Sequence, residues 1–402
     1  MVIEGYFDNP IVRYINDVIS VNQNKRIIIY GCGSAGSRIY AYLTAIGYEI
    51  AYFVDMDEKK QGNLFFERPV KSPYDLLYES DKSLIFLCII DNAASAIQIL
   101  KSIGLQENID YYNIMNFWGG KKRYDLYDPI CGYSRRGDLD GFNIRGDQKS
   151  KNIIVILGGS TTDDDYSVFT PWVQYFYEML KIEYNDDLLL YNGAVSGYES
   201  SQELLKFLRD VIWLEPSIVI QFNGVNEVDV DKKHPLVNRY LQYICRNTFS
   251  NIIDSDVANA PKMGLRSADN LELSFGLEVN AEKHQNWMIN MRVMGAVCRE
   301  FGIKYYGILQ PTSMFGEHKD KCIKKINKIQ MKYGNSKLEE RREFYKNVNH
   351  NWKQVDFLYN FSRIFDNVEG ALYFDEVHYT EKANKIIAET IFDLLSKDIV
   401  RK

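Results

Sequence analysis

The sequence predicts an α/β protein with two successive parallel sheets, the smaller one first. Three observations carry this. Short apolar runs alternate with longer helical stretches in two separate series, one over residues 24–117 and one beginning at Lys151. Alternation of this kind specifies a parallel sheet with helices on its faces. Between the two series the composition changes, and in both a glycine or small polar residue directly follows an apolar run, where open parallel sheets present ligands.

In the first series Arg26–Tyr30 reads as a strand, the turn Gly31-Cys-Gly-Ser-Ala-Gly36 follows, and a helix runs from about Ser37 to Ile46. Glu49–Val54 is a second strand ending at Asp55, and Ser83–Ile90 is a third, with Asn92 able to cap the next helix. From Trp118 to Ser150, Gly119-Gly-Lys-Lys-Arg, Gly137 and Gly146 break any periodicity, which reads as a linker leading into the next domain. The expected division is therefore 1–118, 119–150 and 151–402.

In the second series Asn152–Leu157 is a strand ending in Gly158-Gly-Ser160, and Thr170-Pro171 reads as an N-cap with proline at the first helical position. Leu188–Tyr191 is a strand, and Ser200-Ser-Gln-Glu203 reads as a capping box opening a helix to about Trp213. Ser217–Phe222 is a strand ending at Asn223-Gly-Val-Asn226. A helix from about Ala281 to Phe301 precedes the strand Ile303–Leu309, and Thr380 caps a last helix reaching about Ser396. The polar, charged and aromatic region at about 312–361 reads as an inserted, lid-like subdomain.

The bulk numbers bound the function. A chain of 402 residues predicts two or three domains. A formal net charge of −6 argues against a nucleic-acid partner, which needs a basic face. The 29 Tyr and 21 Phe suit stacking on sugars, although such content also arises from genome bias. Cys32, Cys88, Cys131, Cys245, Cys298 and Cys322 form no C-x-x-C pair and read as reduced, mostly buried thiols. Residues 1–20 do not read as a secretory signal, and no apolar run approaches the roughly 20 residues of a membrane span. A cytoplasmic protein is expected, with no metal.

The second series places several polar residues where its strands end. Ser160 follows the first strand, Gly197 lies after the second, Asn226 after the third, and Asp375 and His378 precede the final helix. A serine nucleophile needs a base within hydrogen-bond reach, and that base needs an orienting acid. The order Ser…Asp-x-x-His supplies both. The N–H groups of Ser160 and Gly197, with the Asn226 amide, could form an oxyanion hole. Singly, Ser160 reads as well as a helix cap and Asn226 as a turn residue; it is their joint order that points to chemistry. Asp163-Asp-Asp165 reads as a solvated loop rather than a metal site, and His234, His284, His318 and His350 as surface residues.

Four blocks, Gly158-Gly-Ser-Thr-Thr162, Asn192-Gly-Ala-Val-Ser-Gly-Tyr198, Asn223-Gly-Val-Asn-Glu227 and Asp375-Glu-Val-His-Tyr-Thr380, resemble the successive blocks of the SGNH (GDSL-type) hydrolases in order and approximate spacing. The resemblance covers about Asp128 to Leu395. It implies a flavodoxin-like α/β/α domain with Ser160 as nucleophile, Asp375 and His378 as the acid–base pair, and Gly197 and Asn226 as oxyanion donors. Two positions depart from the family: Gly159 stands where the family name has Asp, and Glu227 follows Asn226 where Asp is usual. Because the family spans esterases, lipases, carbohydrate deacetylases and acetyltransferases, it implies the chemistry better than the substrate.

The first-domain turn, Gly31-x-Gly33-x-x-Gly36 after a strand and opening a helix, with Asp55 at the end of the next strand, has the context of a dinucleotide fingerprint. Its glycines would let the backbone approach a pyrophosphate, and Asp55 could bind a ribose hydroxyl. No second half follows Phe117 to complete a nicotinamide site. The segment resembles the short Rossmann-like domains of bacterial glycan-assembly proteins, which implies a nucleotide or nucleotide-sugar ligand or a structural role.

The reading is a serine esterase acting on O-acyl groups, acetyl first among them, of a sugar or glycan precursor, with no cofactor needed for the ester chemistry. The alternatives are an O-acyltransferase of surface-polysaccharide biosynthesis using the same site, a nucleotide-sugar-binding scaffold with an inactive hydrolase domain, and an NAD-dependent oxidoreductase with an appended esterase.

Overall fold

The computed structural model describes residues 10–79, 83–89, 93–114, 126–128, 130–134, 141–164, 169–229, 282–333, 336–353 and 355–396. Among these the chain forms two six-stranded, mainly parallel sheets and a small hairpin, with helices on the sheet faces. The mixed α/β class expected from the sequence is the one observed. Asn92, Cys245, His234 and residues 119–125, 129 and 135–140 of the linker lie outside the described residues.

The first sheet contains β1 (Arg26–Tyr30), β2 (Ile50–Val54), β3 (Leu64–Phe65), β4 (Arg68–Lys71), β5 (Ser83–Leu87) and β6 (Tyr111–Asn113), in the order β3-β4-β2-β1-β5-β6. β1 pairs in parallel with both β2 and β5, and the edge strand β3 runs antiparallel to β4. The run Ile27-Ile28-Ile29-Tyr30 suits a strand buried on both faces, where β-branched and aromatic side chains pack well. Ile27 and Ile29 enter one core with Ile11 and Ile15 of helix α1 (Pro10–Val21) and Ile39 and Leu43 of helix α2 (Ser34–Ala45). Ile28 and Tyr30 enter another with Ala96 and Leu100 of helix α3 (Ala93–Ser102).

A hairpin of β7 (Leu126–Asp128) and β8 (Gly132–Ser134) precedes the second sheet. That sheet contains β9 (Asn143–Gly146), β10 (Ile153–Gly158), β11 (Leu189–Asn192), β12 (Ile218–Asn223), β13 (Lys304–Leu309) and β14 (Leu358–Asn360), in the order β14-β13-β12-β10-β11-β9. All neighbours pair in parallel except β9, which runs antiparallel to β11. Period-2 alternation divides β10 between two cores. Ile154 and Ile156 face Trp172 and Phe176 of α4 (Trp172–Glu183) and Ile387 and Ile391 of the helix Glu381–Ser396. Val155 and Leu157 face Leu204 of α5 (Ser200–Lys206) and Trp287 and Met291 of α6 (Lys283–Glu300).

In each sheet the strand order reverses at one strand: β1 is flanked by β2 and β5, and β10 by β11 and β12. The chain leaves β1 through Gly31 and β10 through Gly159 and Ser160, so both sequence motifs lie at switch points.

Several expectations need correction. The region 312–361 is no lid. It forms α7 (Lys321–Lys332), α8 (Ser336–His350) and β14, an edge strand, and its Phe344, Tyr345 and Val348 are buried in the second core. Apart from the buried Asp320 and Arg341, its charged residues mark the outer faces of amphipathic helices. Pro171 is the N-cap itself and Trp172 the first helical residue. The capping box at α5 is Glu199 with Gln202, one residue earlier than expected, and the α-helix gives way to a π-turn at Phe207–Val211. The final helix, α9, runs Glu381–Ser396 directly after Thr380.

The two sheets share a core. α2 packs on α7, and the cluster holding Ile39 and Tyr42 continues through Ile323 and Ile326 to the second sheet. The Tyr40 and Tyr333 rings meet edge-on at 5.6 Å, and the Lys325 ammonium donates to the Ala45 carbonyl at the end of α2. Among the described residues, no helix is long and apolar enough to cross a membrane.

Candidate active site

Ser160 emerges where β10 ends and is 8% exposed. Its turn is tight: the N–H groups of Thr162 and Asp163 both donate to the Gly159 carbonyl at 3.0 Å. Across the sheet edge, the loop before α9 carries Asp375 and His378. One carboxylate oxygen of Asp375, Oδ1, accepts from the Val377 and His378 N–H groups at 2.9 and 2.8 Å. The other, Oδ2, lies 2.7 Å from His378 Nδ1, and His378 Nε2 lies 2.7 Å from Ser160 Oγ. The loop carboxylate thus turns back onto the imidazole three residues later.

The proton positions follow from charge. Burial alone would raise the Asp375 carboxyl, but His378, then Arg38, and the N–H bonds hold it well below the usual carboxylate range. An ionised carboxylate only accepts, so His378 Nδ1 carries the proton and Nε2 is left to accept from the Ser160 hydroxyl. Phe374 stacks on the imidazole at 5.4 Å and 20° and limits its rotation.

Three loops meet beside the serine. The Asn226 amide donates to the Tyr198 carbonyl at 2.8 Å, next to Gly197, whose φ is +82°. A Cβ on Gly159 would stand 2.5 Å from Asn226 Nδ2 and 3.2 Å from the Tyr198 oxygen. The absence of a side chain at Gly159 therefore makes room for the Asn226 amide. Glu227 accepts from the Ser200 N–H at 2.7 Å and its hydroxyl at 3.0 Å, tying the Asn226 turn to α5.

Asp163 is not in a solvated loop. It is 6% exposed and accepts from the Ser196 N–H at 3.0 Å, bracing the Gly197 loop. Asp164 pairs with Arg145 at 2.9 Å, and Asp165 lies outside the described residues. His318 is likewise no surface residue: it is 2% exposed, with Nε2 3.0 Å from the Ser313 carbonyl. Sequence reasoning also missed Asp320, which caps α7 through the Ile323 N–H and receives the Leu372 N–H at 2.8 Å, fixing the approach to the Asp375 loop. It missed Glu203 too, a carboxyl that burial pushes up to about 8 and that accepts from Gln221 and Asn223 at 2.7 and 2.5 Å.

The glycine turn of the first sheet is built differently. Gly31 has φ +121°, and a Cβ there would meet the Cys88 carbonyl oxygen at 2.5 Å. A Cβ on Gly36 would fall 1.9 Å from the Gly31 oxygen, whereas one on Gly33 would meet nothing within 4 Å. Asp55 is engaged by the protein: Oδ2 accepts from the Cys32 N–H at 2.8 Å and the Lys60 ammonium at 3.1 Å, and Oδ1 from the Asp57 N–H at 2.9 Å. Burial would raise the Asp55 carboxyl, but these bonds outweigh it and lower it. Among the described residues no three His, Cys, Asp or Glu side chains gather as a metal site would require.

No family model and no curated protein matches this chain. Solved structures similar to it include an acetylxylan esterase from Geobacillus stearothermophilus, 16% identical, covering 61% of this chain and 94% of that one with a TM-score of 0.33. A GDSL-like lipase from Bacteroides thetaiotaomicron is 17% identical, covering 62% and 89% with a TM-score of 0.31. A putative acylhydrolase from Bacteroides fragilis is 16% identical, covering 64% and 92% with a TM-score of 0.32. What the site can do follows from its own side chains.

Proposed function

We propose that this protein is a serine-dependent esterase that removes an O-acyl group, acetyl first among the candidates, from a sugar or glycan precursor. The observation that carries the reaction class is the continuous relay from Asp375 through His378 to Ser160, with both links at 2.7 Å. The carbohydrate acceptor rests on the family resemblance and the aromatic-rich composition.

The steps follow from the relay. His378 Nε2 takes the Ser160 proton as Oγ bonds to the acyl carbonyl carbon. The carbonyl electrons move onto oxygen, and the N–H groups of Ser160 and Gly197, with the second N–H of the Asn226 amide, receive that oxyanion. The intermediate collapses, the C–O bond to the sugar breaks, and the sugar oxygen takes the proton from His378. Water then gives a proton to His378 and attacks the acyl-Ser160 carbonyl; His378 returns the proton to Ser160 as the acid leaves. A sugar hydroxyl in place of water would make the same site a transferase.

For the first domain the reading carried forward is a nucleotide or nucleotide-sugar ligand, with a structural role as its alternative. The open space at Gly33, at the N-terminus of α2, supports a diphosphate there. A ribose hydroxyl would have to displace the Lys60 ammonium from Asp55.

The test is hydrolysis of p-nitrophenyl acetate by the unsubstituted protein and by Ser160→Ala. A loss of roughly 10³-fold or more is expected in kcat/KM. Equal rates would remove Ser160 as nucleophile.

A further inference from the structure

Glu376 lies inside the Asp375–His378 loop, and the loop's internal bonds do not account for it. Its backbone carbonyl accepts from the Ser313 hydroxyl at 2.7 Å and the Thr312 hydroxyl at 3.4 Å, on the segment after β13. Its carboxylate, only 6% exposed at the side chain, points the other way and pairs with the guanidinium of Arg38. Arg38 stands on α2 of the first domain, 338 residues away in sequence and one turn along the helix that opens at the glycine turn. The same guanidinium contributes to holding Asp375 ionised.

Residue 376 is therefore held from two sides, by the second domain through its carbonyl and by the first through its side chain. α2 is a well-anchored support for the second hold. Its C-terminal carbonyl at Ala45 receives Lys325, and Tyr40 is packed on Tyr333. Asp375 fixes the shape of the loop through the Val377 and His378 N–H groups, but shape alone does not set where the imidazole stands relative to Ser160. An external anchor has to do that.

We propose that Arg38 is a positioning residue for the catalytic loop: the first domain completes the esterase site by clamping Glu376, and so places His378 against Ser160. This rests on the reading of Ser160 as nucleophile. A relay that works at 2.7 Å is sensitive to small tilts of the loop, since displacements of about 1 Å cost on the order of 10²-fold in rate. Losing Arg38 would also leave a buried carboxylate without its counter-charge, which would push the loop toward water.

The experiment measures covalent labelling of Ser160 by a fluorophosphonate, in which the serine oxygen bonds to phosphorus, fluoride leaves and His378 takes the proton. Kinetics with p-nitrophenyl acetate and a thermal midpoint accompany it. Arg38→Ala is expected to slow labelling and kcat by about tenfold or more with KM within about twofold, because no substrate contact is removed. Arg38→Lys should recover part of the loss, since it restores the charge but not the fork. The double variant Arg38→Met/Glu376→Gln leaves neither partner charged and buried. It should remain slow, with a loss no larger than that of Arg38→Ala. Ser160-dependent labelling that is equally fast in the unsubstituted protein and in Arg38→Ala would overturn this inference alone. If Arg38→Ala does not fold, the double variant decides: slow labelling supports the clamp, and unimpaired labelling overturns it. Absence of Ser160-dependent labelling in the unsubstituted protein would overturn the esterase reading and this one with it.

Discussion

After β1 the chain turns through Gly31–Gly36 into α2, and after β10 it turns through Gly159–Asp163 toward α4. Both turns leave a strand at which the strand order reverses, and both have carboxylates nearby. At the first, a single carboxylate, Asp55, ties the Gly31 turn to the segment after β2, taking the Cys32 and Asp57 N–H groups and the Lys60 ammonium. At the second, Asp163 reaches to Ser196 and Glu227 to Ser200, tying separate turns together, while Asp375 folds back onto His378 three residues on. The first arrangement joins two neighbouring turns. The second draws several loops together around a hydroxyl and holds that hydroxyl against an imidazole. The contrast teaches that a switch point supplies a place for chemistry, while the number of loops tied together there decides whether groups from distant parts of the chain converge on it.

The sharpest way to break this contrast is to remove one of the converging groups. Asn226→Ala should lower kcat for p-nitrophenyl acetate by about 10²–10³-fold while the fold is retained, the usual effect of losing one oxyanion donor. A kcat within twofold of the unsubstituted protein would mean that the three loops meet for packing only.

The next test addresses the first turn. Gly36→Ala must push a methyl group into the Gly31 carbonyl oxygen and should destabilise the protein by about 1–3 kcal/mol or more in urea unfolding. Gly33→Ala faces open space and should change stability by less than about 0.5 kcal/mol. If the two cost the same, the glycine pattern does not report strand–helix packing. A nucleoside diphosphate that raises the melting point of the unsubstituted protein, and fails to do so for Gly33→Leu, would give this turn a ligand.

The smallest effect is on pH dependence, where the two regions should respond in opposite directions. Asp55 ionises more readily in the folded chain than in the unfolded one, so its contribution is present above about pH 4 and is lost as pH falls through the folded value. Glu203 keeps its proton in the fold to about 8, against 4.5 when unfolded. Between those values the folded state binds more protons, so stability falls as pH rises through that window. Urea melts from about pH 2 to 9 should show Glu203→Gln flattening the decline between 4.5 and about 8 and Asp55→Asn flattening the one below about pH 4. A decline unchanged in Glu203→Gln would show that this carboxyl does not control it.

Much of this was legible in the sequence, for physical reasons that differ by element. β1, β10 and β12 are runs such as Ile27-Ile28-Ile29 and Ile218-Val219-Ile220, whose β-branched content identifies buried parallel strands. β3, β4, β6, β9 and β14 have two to four residues, too few for any period to register. Ser160, Asp375 and His378 were legible because each sits in a short block of distinctive composition. Arg38 was not, because its partner is 338 positions away and an arginine on a helix face looks like any solvated charge. His318 and Asp163 were misread as exposed for another reason: their partners are backbone groups, which leave no mark in a side-chain pattern.

The shared core beneath α2 has a practical consequence for anyone who would express the second sheet and its helices alone. A gene fragment starting at the second sheet would leave Ile323 and Ile326 of α7 without the helix that covers them, and Glu376 without its cation. Such a fragment would be expected to aggregate or, on the proposed function, to stay in solution with little activity. Libraries that shuffle or transplant the second-sheet half should therefore carry residues 10–114 along with it, and treat the seam as part of the fold.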